Sequence, residues 1–187
     1  CEVFVSGCNY SCPFCHAKQI VYDKGKISEE EIFSYLKKTK GFIDGIVICG
    51  GEPTLQLDLL NFAKKLKNLE IAVKLDTNGS KFEILEELLK ENLIDYVALD
   101  VKCSPSLYHK LIGKEHFDLR DGIEKSLCIV QRFPDYEFRT TIVPFYREDG
   151  NLDWFTREEV GEMAEWVKGF VSINPKEVKW YLQPFIS

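Results

Sequence analysis

Six short apolar segments alternate with helical patterns along the chain, and this alternation limits the folds that are available to it. The segments are rich in Val, Ile, Phe and Tyr and have the length of buried parallel strands. They are predicted at Glu2–Ser6, Gly45–Cys49, Ile71–Leu75, Tyr96–Val101, Tyr136–Val143 and Val178–Leu182. Strands that alternate with helices in this way form a parallel sheet joined by right-handed crossovers.

The segments between the strands carry helix signals. Ser28 with Glu31 and Thr156 with Glu159 each form a capping-box pattern, and the second of these helices is predicted to run to Phe170. Three further helices are predicted from their apolar periodicity at Leu55–Leu66, Phe82–Lys90 and Leu119–Phe133. No internal repeat or linker interrupts the series, so we predict a single domain over residues 1–187.

The length of the chain favours one parallel architecture over the others. A closed eight-stranded α/β barrel takes about 250 residues, whereas this chain has 187. We therefore predict an α/β fold in which six parallel strands form an open, partial (β/α)6 barrel, with a doubly wound open sheet as the alternative. In either fold the reactive groups lie at the C-terminal ends of the strands.

Composition and charge argue against several classes of protein. A net charge of -6 and a pI near 5.2 provide no basic face for a broad nucleic-acid contact. No apolar run approaches the roughly 20 residues of a membrane-spanning helix and no signal peptide is visible, so we expect no membrane association. The seven cysteines form an odd, uneven set that is typical of a reduced, cytoplasmic protein. The sequence begins at Cys1 and not at a methionine, so we expect the natural N-terminus to be missing.

Three of the cysteines lie in one loop after the first predicted strand. Cys8, Cys12 and Cys15 have the spacing C-x3-C-x2-C within the run GCNYSCPFCH. Thiolates this close in sequence can converge on one soft metal centre. Three ligands, where electron-transfer clusters usually have four, would leave one iron of a cubane open to a group from outside the protein. Cysteines that serve only packing, and a zinc site completed by His16, are the alternatives.

The second predicted strand ends in the run CGGEPT. Gly50 and Gly51 allow close approach of the backbone, and Pro53 stiffens the exit from the strand. Glu52 is placed to accept from an ammonium group. An ordinary turn between a strand and a helix is the alternative.

Polar residues also follow the third and fourth predicted strands, in the runs LDTNGS and ALDVK. Asp76, Thr77 and Asn78 present oxygens to a ribose or a cation, unless they only form a turn and a helix cap. Asp100 and Lys102 point to the same side of their strand, where burial requires a partner or a ligand. A structural ion pair is the alternative for these two.

The last two strands contribute one candidate each. Arg139 would contact the ribose or the carboxylate of a cofactor, or form a salt bridge between elements. Gln183 lies at the mouth of the sixth strand, or it caps the core.

Taken together, these motifs resemble those of the radical S-adenosylmethionine (SAM) superfamily. The cysteine spacing, with the aromatic Phe14 before the third cysteine, resembles the first signature of the family, and GGEP resembles the second, which binds the amino group of the cofactor. The resemblance implies a [4Fe-4S] cluster on Cys8, Cys12 and Cys15 with SAM on the open iron. It also implies reductive cleavage of SAM to a 5′-deoxyadenosyl radical, and it places Phe14 against the adenine.

The order of the motifs is most similar to that of the glycyl-radical-enzyme activases, and among them to the activating component of anaerobic (class III) ribonucleoside-triphosphate reductase. The resemblance implies removal of a hydrogen atom from a glycine of the large reductase subunit, with an electron donor such as flavodoxin or ferredoxin. It also implies a monovalent cation bound by Asp76, Thr77, Asp100 and the Ala98 carbonyl, with Lys102 near the substrate peptide or the cofactor.

The chain departs from the pyruvate formate-lyase activase in one respect. That enzyme has a histidine beyond its V-P-G turn, whereas here the turn reads Val143-Pro144-Phe145 and all three histidines precede it. One alternative function is a radical SAM enzyme that acts on a small molecule, similar to the 7-carboxy-7-deazaguanine synthases. The others are an activase of another glycyl-radical enzyme and a zinc-stabilised binding module without catalysis.

Overall fold

The computed structural model of the protein describes residues 1–114, 116, 118–171 and 178–185. The strands are β1 (Glu2–Val5), β2 (Gly45–Gly50), β3 (Ala72–Thr77), β4 (Tyr96–Asp100), β5 (Asp135–Ile142), β6 (Phe145–Tyr146), β7 (Leu152–Asp153) and β8 (Trp180–Pro184). Six of them form one parallel sheet in the order β1-β2-β3-β4-β5-β8, and β6 pairs with β7 in an antiparallel hairpin. All six predicted strands are confirmed, with bounds that differ by at most two residues.

The helices in these parts of the chain are α1 (Lys18–Tyr22), α2 (Glu29–Lys38), α3 (Leu59–Lys67), α4 (Phe82–Lys90), α5 (Tyr108–Ile112), α6 (Lys125–Val130) and α7 (Arg157–Lys168). Both predicted capping boxes are confirmed. The Ser28 hydroxyl accepts from the backbone N–H of Glu31, whose carboxylate accepts from the N–H of Ser28, and Thr156 and Glu159 do the same. No helix within the described residues has both the length and the apolar composition that a membrane crossing needs.

Two predicted helices differ from the structure in detail. The prediction of Leu55–Leu66 is wrong over its first residues, because Pro53–Leu55 forms a 3-10 turn and α3 begins only at Leu59. The predicted helix Leu119–Phe133 starts with a π-helical turn at Arg120–Glu124 and continues as α6. Helices α1 and α5 and the β6–β7 hairpin were not predicted, since they are too short to give a periodic pattern.

The two faces of the sheet differ chemically, because successive residues of a strand point to opposite sides. Apolar residues of the outward face are at most 1% exposed and pack with the helices; they are Ile46, Ile48, Val73, Leu75, Val97, Leu99 and Phe138. The inward face carries polar residues at the alternate positions of β3 to β5, namely Lys74, Asp76, Tyr96, Glu137 and Arg139. A doubly wound sheet is covered by helices on both faces, so that alternative is wrong.

A contact between the two ends of the sheet shows that it is curved. β1 and β8 are its edge strands, and five spacings of about 4.8 Å would separate them by about 24 Å in a flat sheet. Yet the ring of His16, in the loop after β1, packs edge-on against the ring of Phe185 after β8, with the centroids 4.8 Å apart. The prediction of an open, partial (β/α)6 barrel is therefore confirmed, and the C-terminal ends of its strands surround one mouth.

Candidate active site

Backbone hydrogen bonds fix the three-cysteine loop against two helices. The N–H of Gly7 donates to the carbonyl of Val21 in α1 (3.1 Å), and the N–H of Ser11 donates to the carbonyl of Ile112 in α5 (2.8 Å). Gly113, which follows α5, has a left-handed φ of 65°, and a Cβ there would lie 2.5 Å from the Ser11 carbonyl oxygen. Only glycine lets α5 approach the loop this closely.

Cys8, Cys12 and Cys15 are half-buried and line one cavity of about 590 Å³. Burial raises the pKa of Cys8, and it raises the pKa of Cys12 to about 11. The positive charge of Lys102 opposes both shifts. In the free protein Cys8 and Cys12 are therefore thiols, and a bound metal centre would convert them to thiolates.

The three thiols can be compared with the ligand sets of the two metal centres considered from the sequence. Across the described ranges, no group of three or more His, Cys, Asp or Glu side chains is arranged to hold a single metal ion. A structural zinc site needs four ligands around one ion, and the His16 ring packs on Phe185 instead. In a cubane each cysteine binds a different iron, so three separate thiols around one cavity suit a [4Fe-4S] cluster.

Two glycines bring the end of β2 against the end of β1. Gly50 has a φ of 112°, and a Cβ on it would lie 2.6 Å from the backbone nitrogen of Val5. A Cβ on Gly51 would lie 1.8 Å from the carbonyl oxygen of Gly7. Both glycines line the cavity, so the close backbone contact predicted from the sequence places this turn beside the cysteine loop.

Glu52 is fully buried, and its carboxylate accepts four hydrogen bonds. Its Oε1 accepts from the Thr54 N–H (3.0 Å), the Thr54 hydroxyl (2.6 Å) and the Thr77 hydroxyl (2.7 Å), and its Oε2 accepts from the Asn78 N–H (2.7 Å). Burial raises the pKa of this carboxyl, and the donors oppose that shift. Neither Glu52 nor Pro53 lines the cavity. Protein donors therefore occupy its oxygens and tie the end of β2 to the end of β3, and the contact of Glu52 with a ligand ammonium stays a prediction.

Asn78 connects this hydrogen-bond network to the cysteine loop. Its Oδ1 accepts from the N–H of Ser80 (2.9 Å), and its Nδ2 donates to Oδ1 of Asn9 (3.0 Å). The same Nδ2 lies 3.8 Å from Sγ of Cys8 and donates to it. Asn9 in turn donates through Nδ2 to the Ser80 hydroxyl (2.7 Å). These partners hold the Asn78 amide in one orientation.

Arg139 on β5 joins the two predicted aspartates. Its Nη1 lies 2.9 Å from Oδ2 of Asp76, and its Nε lies 3.3 Å from Oδ1 of Asp100. Nζ of Lys102 lies 2.8 Å from the other oxygen of Asp100. Burial alone would raise the pKa of Asp100, but the charges of Lys102 and Arg139 hold it below its usual value. Burial prevails at Asp76 and raises its pKa, although the charges of Arg139 and Lys74 oppose this.

Three further polar residues, which were not predicted from the sequence, lie next to Asp76 and Arg139 on the inward face of the sheet. Nζ of Lys74 lies 3.1 Å from Oε1 of Glu137 and 3.7 Å from Oδ1 of Asp76, and the hydroxyl of Tyr96 donates to Oε2 of Glu137 (2.9 Å). Each of the three stands two residues before a predicted site residue: Lys74 before Asp76, Tyr96 before Ala98, and Glu137 before Arg139. The period-2 alternation of a strand was therefore the signal that would have found them.

Most of the predicted residues meet at one cavity. Twelve of them line it, namely Cys8, Cys12, Phe14, Cys15, Gly50, Gly51, Asp76, Thr77, Asn78, Asp100, Lys102 and Arg139. Gln183 lines it too, as do His16 and Phe185. Ala98 does not line it and is fully buried. The cavity thus joins three thiols to charged groups from several strand ends.

Comparison with known families identifies the superfamily of the chain. The family model described as "Radical SAM superfamily" matches residues 3–151. The chain belongs to the radical SAM superfamily. Membership implies a [4Fe-4S] cluster and SAM as cofactors, as the cysteine motif predicts.

Two curated relatives of this radical SAM chain bear on its activity. A protein of Methanocaldococcus jannaschii named "Putative glycyl-radical enzyme activating enzyme MJ1227" is 38% identical over 156 residues, which are 81% of this chain and 64% of that protein. A protein of Thermococcus kodakarensis named "Probable GTP 3',8-cyclase" is 30% identical over 190 residues, which are 92% of this chain and 62% of that protein. The chain thus spans less than two thirds of the length of either relative.

A solved structure shows the same architecture. SuiB of Streptococcus suis, bound to the precursor peptide SuiA, matches this radical SAM chain with a TM-score of 0.71 at 18% identity. The match covers 99% of this chain and 39% of SuiB. At this level of identity the likeness shows the fold alone.

The residues of the cavity fit the cofactors that the superfamily implies. Three thiols supply ligands for three irons of a cubane and leave the fourth iron to a ligand from outside the protein. Asp76 lines the cavity, and its Oδ1 accepts no hydrogen bond from the described part of the chain, with Nζ of Lys74 3.7 Å away. This carboxylate therefore offers an acceptor to an ammonium group. Lys102 and Arg139 offer donors to a carboxylate, and Phe14 offers an aromatic wall.

Proposed function

We propose that the protein cleaves S-adenosylmethionine reductively at a [4Fe-4S] cluster held by Cys8, Cys12 and Cys15. We further propose that the 5′-deoxyadenosyl radical removes a hydrogen atom from a glycine of the large subunit of anaerobic (class III) ribonucleotide reductase. The observation that carries the first proposal is the shared cavity, which is lined by three thiols, the carboxylates of Asp76 and Asp100 and two cationic side chains. Membership in the superfamily supports it as well.

Five residues of the cavity, besides the three cysteines, have a part in the proposed reaction. When bound, the cluster would supply the one electron that breaks the C5′–S bond of the sulfonium and releases methionine. Asp76 would accept from the ammonium group of the cofactor, and Lys102 and Arg139 would donate to its carboxylate. Asp100 would orient the side chains of Lys102 and Arg139, since it contacts both of them. Phe14 would pack against the adenine and keep water from that side of the cavity.

The glycine substrate is supported by the motif order and by the name of the M. jannaschii relative. An electron donor such as flavodoxin or ferredoxin would reduce the cluster. The monovalent cation stays a prediction. Two of its four proposed ligands, Asp76 and Asp100, contact Arg139, and the Thr77 hydroxyl donates to Glu52. Comparison of SAM cleavage in potassium and in a bulky organic cation would test whether a metal cation is needed.

The decisive experiment reconstitutes the protein anaerobically with iron and sulfide, reduces it with dithionite, and measures 5′-deoxyadenosine with and without the large reductase subunit. Electron paramagnetic resonance would detect a glycyl radical in that subunit. Cys12→Ala removes one cluster ligand, and Cys128→Ala, at an exposed thiol outside the motif, is the matched control. We expect cleavage and the partner radical with the control variant, and neither with Cys12→Ala.

The T. kodakarensis relative favours a second candidate, a radical SAM reaction on a small molecule. Cleavage that depends on Cys12 but leaves no radical in the reductase subunit would favour this candidate over activation of the reductase. A reduced cluster that gives no cleavage would contradict both candidates.

A further inference from the structure

The amide of Asn78 is positioned to influence the cluster that Cys8 would hold. Its Nδ2 donates to Sγ of Cys8 across 3.8 Å, and the backbone N–H of Tyr10 donates to the same sulfur across 3.4 Å. Asn78 is 6% exposed, so little water competes for these contacts. The run LDTNGS predicts a contact of Asn78 with a ribose or a cation, whereas the structure shows its amide in contact with a cysteine sulfur.

The orientation of this amide is fixed by its surroundings. A carboxamide nitrogen has two hydrogens, and here one points to Oδ1 of Asn9 and the other to Sγ of Cys8. A rotated amide would place its oxygen against the sulfur and lose the bond from the Ser80 N–H. The backbone of Asn78 is held as well, because its N–H donates to the buried carboxylate of Glu52.

Hydrogen bonds to cluster sulfurs are one of the factors that set the reduction potential of iron–sulfur clusters. A one-electron reduction adds one negative charge to the cluster and its ligands, and an N–H that points at a ligand sulfur stabilises that charge. We propose that Asn78 is a positioning residue that raises the reduction potential of the cluster through its N–H···S bond to Cys8. The inference depends on the [4Fe-4S] cluster and not on the identity of the substrate.

The test is a redox titration of the reconstituted protein with dithionite as the one-electron reductant, followed by electron paramagnetic resonance. It contains neither SAM nor a partner protein, so its outcome is independent of the proposed reaction on the reductase. Asn78→Ala removes the amide that reaches the sulfur. Asn9→Ala removes an amide from the same network but leaves the bond from the Ser80 N–H, which still orients the Asn78 amide towards the sulfur, so it is the matched control.

We expect the midpoint potential of Asn78→Ala to become more negative, with the ratio of reduced to oxidised cluster about threefold lower at a fixed potential. This corresponds to about 28 mV at 59 mV per tenfold change. The potential of Asn9→Ala should stay at the wild-type value. An unchanged potential in Asn78→Ala, or an equal shift in both variants, would overturn the proposal.

A second pair of variants covers the case in which Asn78→Ala unfolds or binds no iron. Asn78→Asp keeps the size of the side chain and the acceptor for the Ser80 N–H, but it loses both amide hydrogens. Asn9→Asp adds the same charge nearby and keeps the acceptor for Asn78. The shift to negative potential should be larger for Asn78→Asp, and equal shifts would overturn the proposal.

Discussion

Replacement of Glu52 by glutamine tests whether this residue joins two strand ends. The carboxylate accepts three hydrogen bonds on Oε1 and one on Oε2. If the amide oxygen of glutamine takes the Oε1 position, its NH₂ group faces the N–H of Asn78, which was 2.7 Å from Oε2. The variant thus loses a bond to a charged group, about 1.5–3 kcal/mol, and leaves a buried donor without a partner, about 1–3 kcal/mol. Relief from burying a charge offsets part of this, so we expect a net loss of about 3 kcal/mol.

The assay is anaerobic denaturant unfolding of the cluster-free protein, followed by circular dichroism. A loss of about 3 kcal/mol is a large share of the roughly 5–15 kcal/mol that stabilises a typical domain. Glu87→Gln, at an exposed position of α4, makes the same chemical change without burial and serves as the control. A Glu52→Gln protein whose free energy of unfolding lies within about 0.5 kcal/mol of this control would refute the reasoning.

Two other residues give predictions of the same kind. The folded-state pKa of Asp100 is lowered, so its contribution to stability is present above the unfolded pKa of about 3.9 and is lost as the pH falls through the folded value. Asp100→Asn should therefore reduce the free energy of unfolding by about 2 kcal/mol at pH 7. The reduction should become smaller as the pH falls below about 3.9, and a reduction that does not change with pH would contradict the ion-pair interpretation. Gly51→Ala would place a Cβ 1.8 Å from the Gly7 carbonyl oxygen, so it should lower the free energy of unfolding by about 3 kcal/mol or more. A Cβ on Gly25 meets open space, so the free energy of unfolding of Gly25→Ala should lie within about 0.5 kcal/mol of the wild-type value. Thermal unfolding of Gly51→Ala and Gly25→Ala measures whether the close approach of the ends of β1 and β2 contributes to stability.

The strands could be predicted from the sequence because their signals are local. Apolar runs of the right length identify buried parallel strands, and Ser28 and Thr156 begin helices through contacts only three residues away. The 3-10 turn at Pro53–Leu55 could not be predicted in this way, since the Glu52 side chain that caps it is itself held by donors from β3. The apolar pattern therefore placed the start of α3 too early.

The site could be predicted as a set of residues but not as a set of contacts. Motifs at strand ends identified the thiols and the charged residues, because parallel strands bring these ends together. The sequence does not show to which side each polar group turns. Glu52 faces donors that lie 25 and 26 residues away, and Asn78 reaches a sulfur 70 residues away. Such pairings depend on the packing of the loops, which no local pattern encodes.

The ion pairs of the inner face have a consequence for how this cavity takes a charged ligand. Lys74, Lys102 and Arg139 contact Asp76, Asp100 and Glu137, so three formal positive charges meet three negative ones before any ligand arrives. Of these six side chains, Asp76, Asp100, Lys102 and Arg139 line the cavity. On the proposed function, a zwitterion would enter by replacing contacts between these side chains with its own, so its affinity would be the difference between two sets of similar contacts. After cleavage the side chains would recover their original partners, and this recovery would favour release of the products.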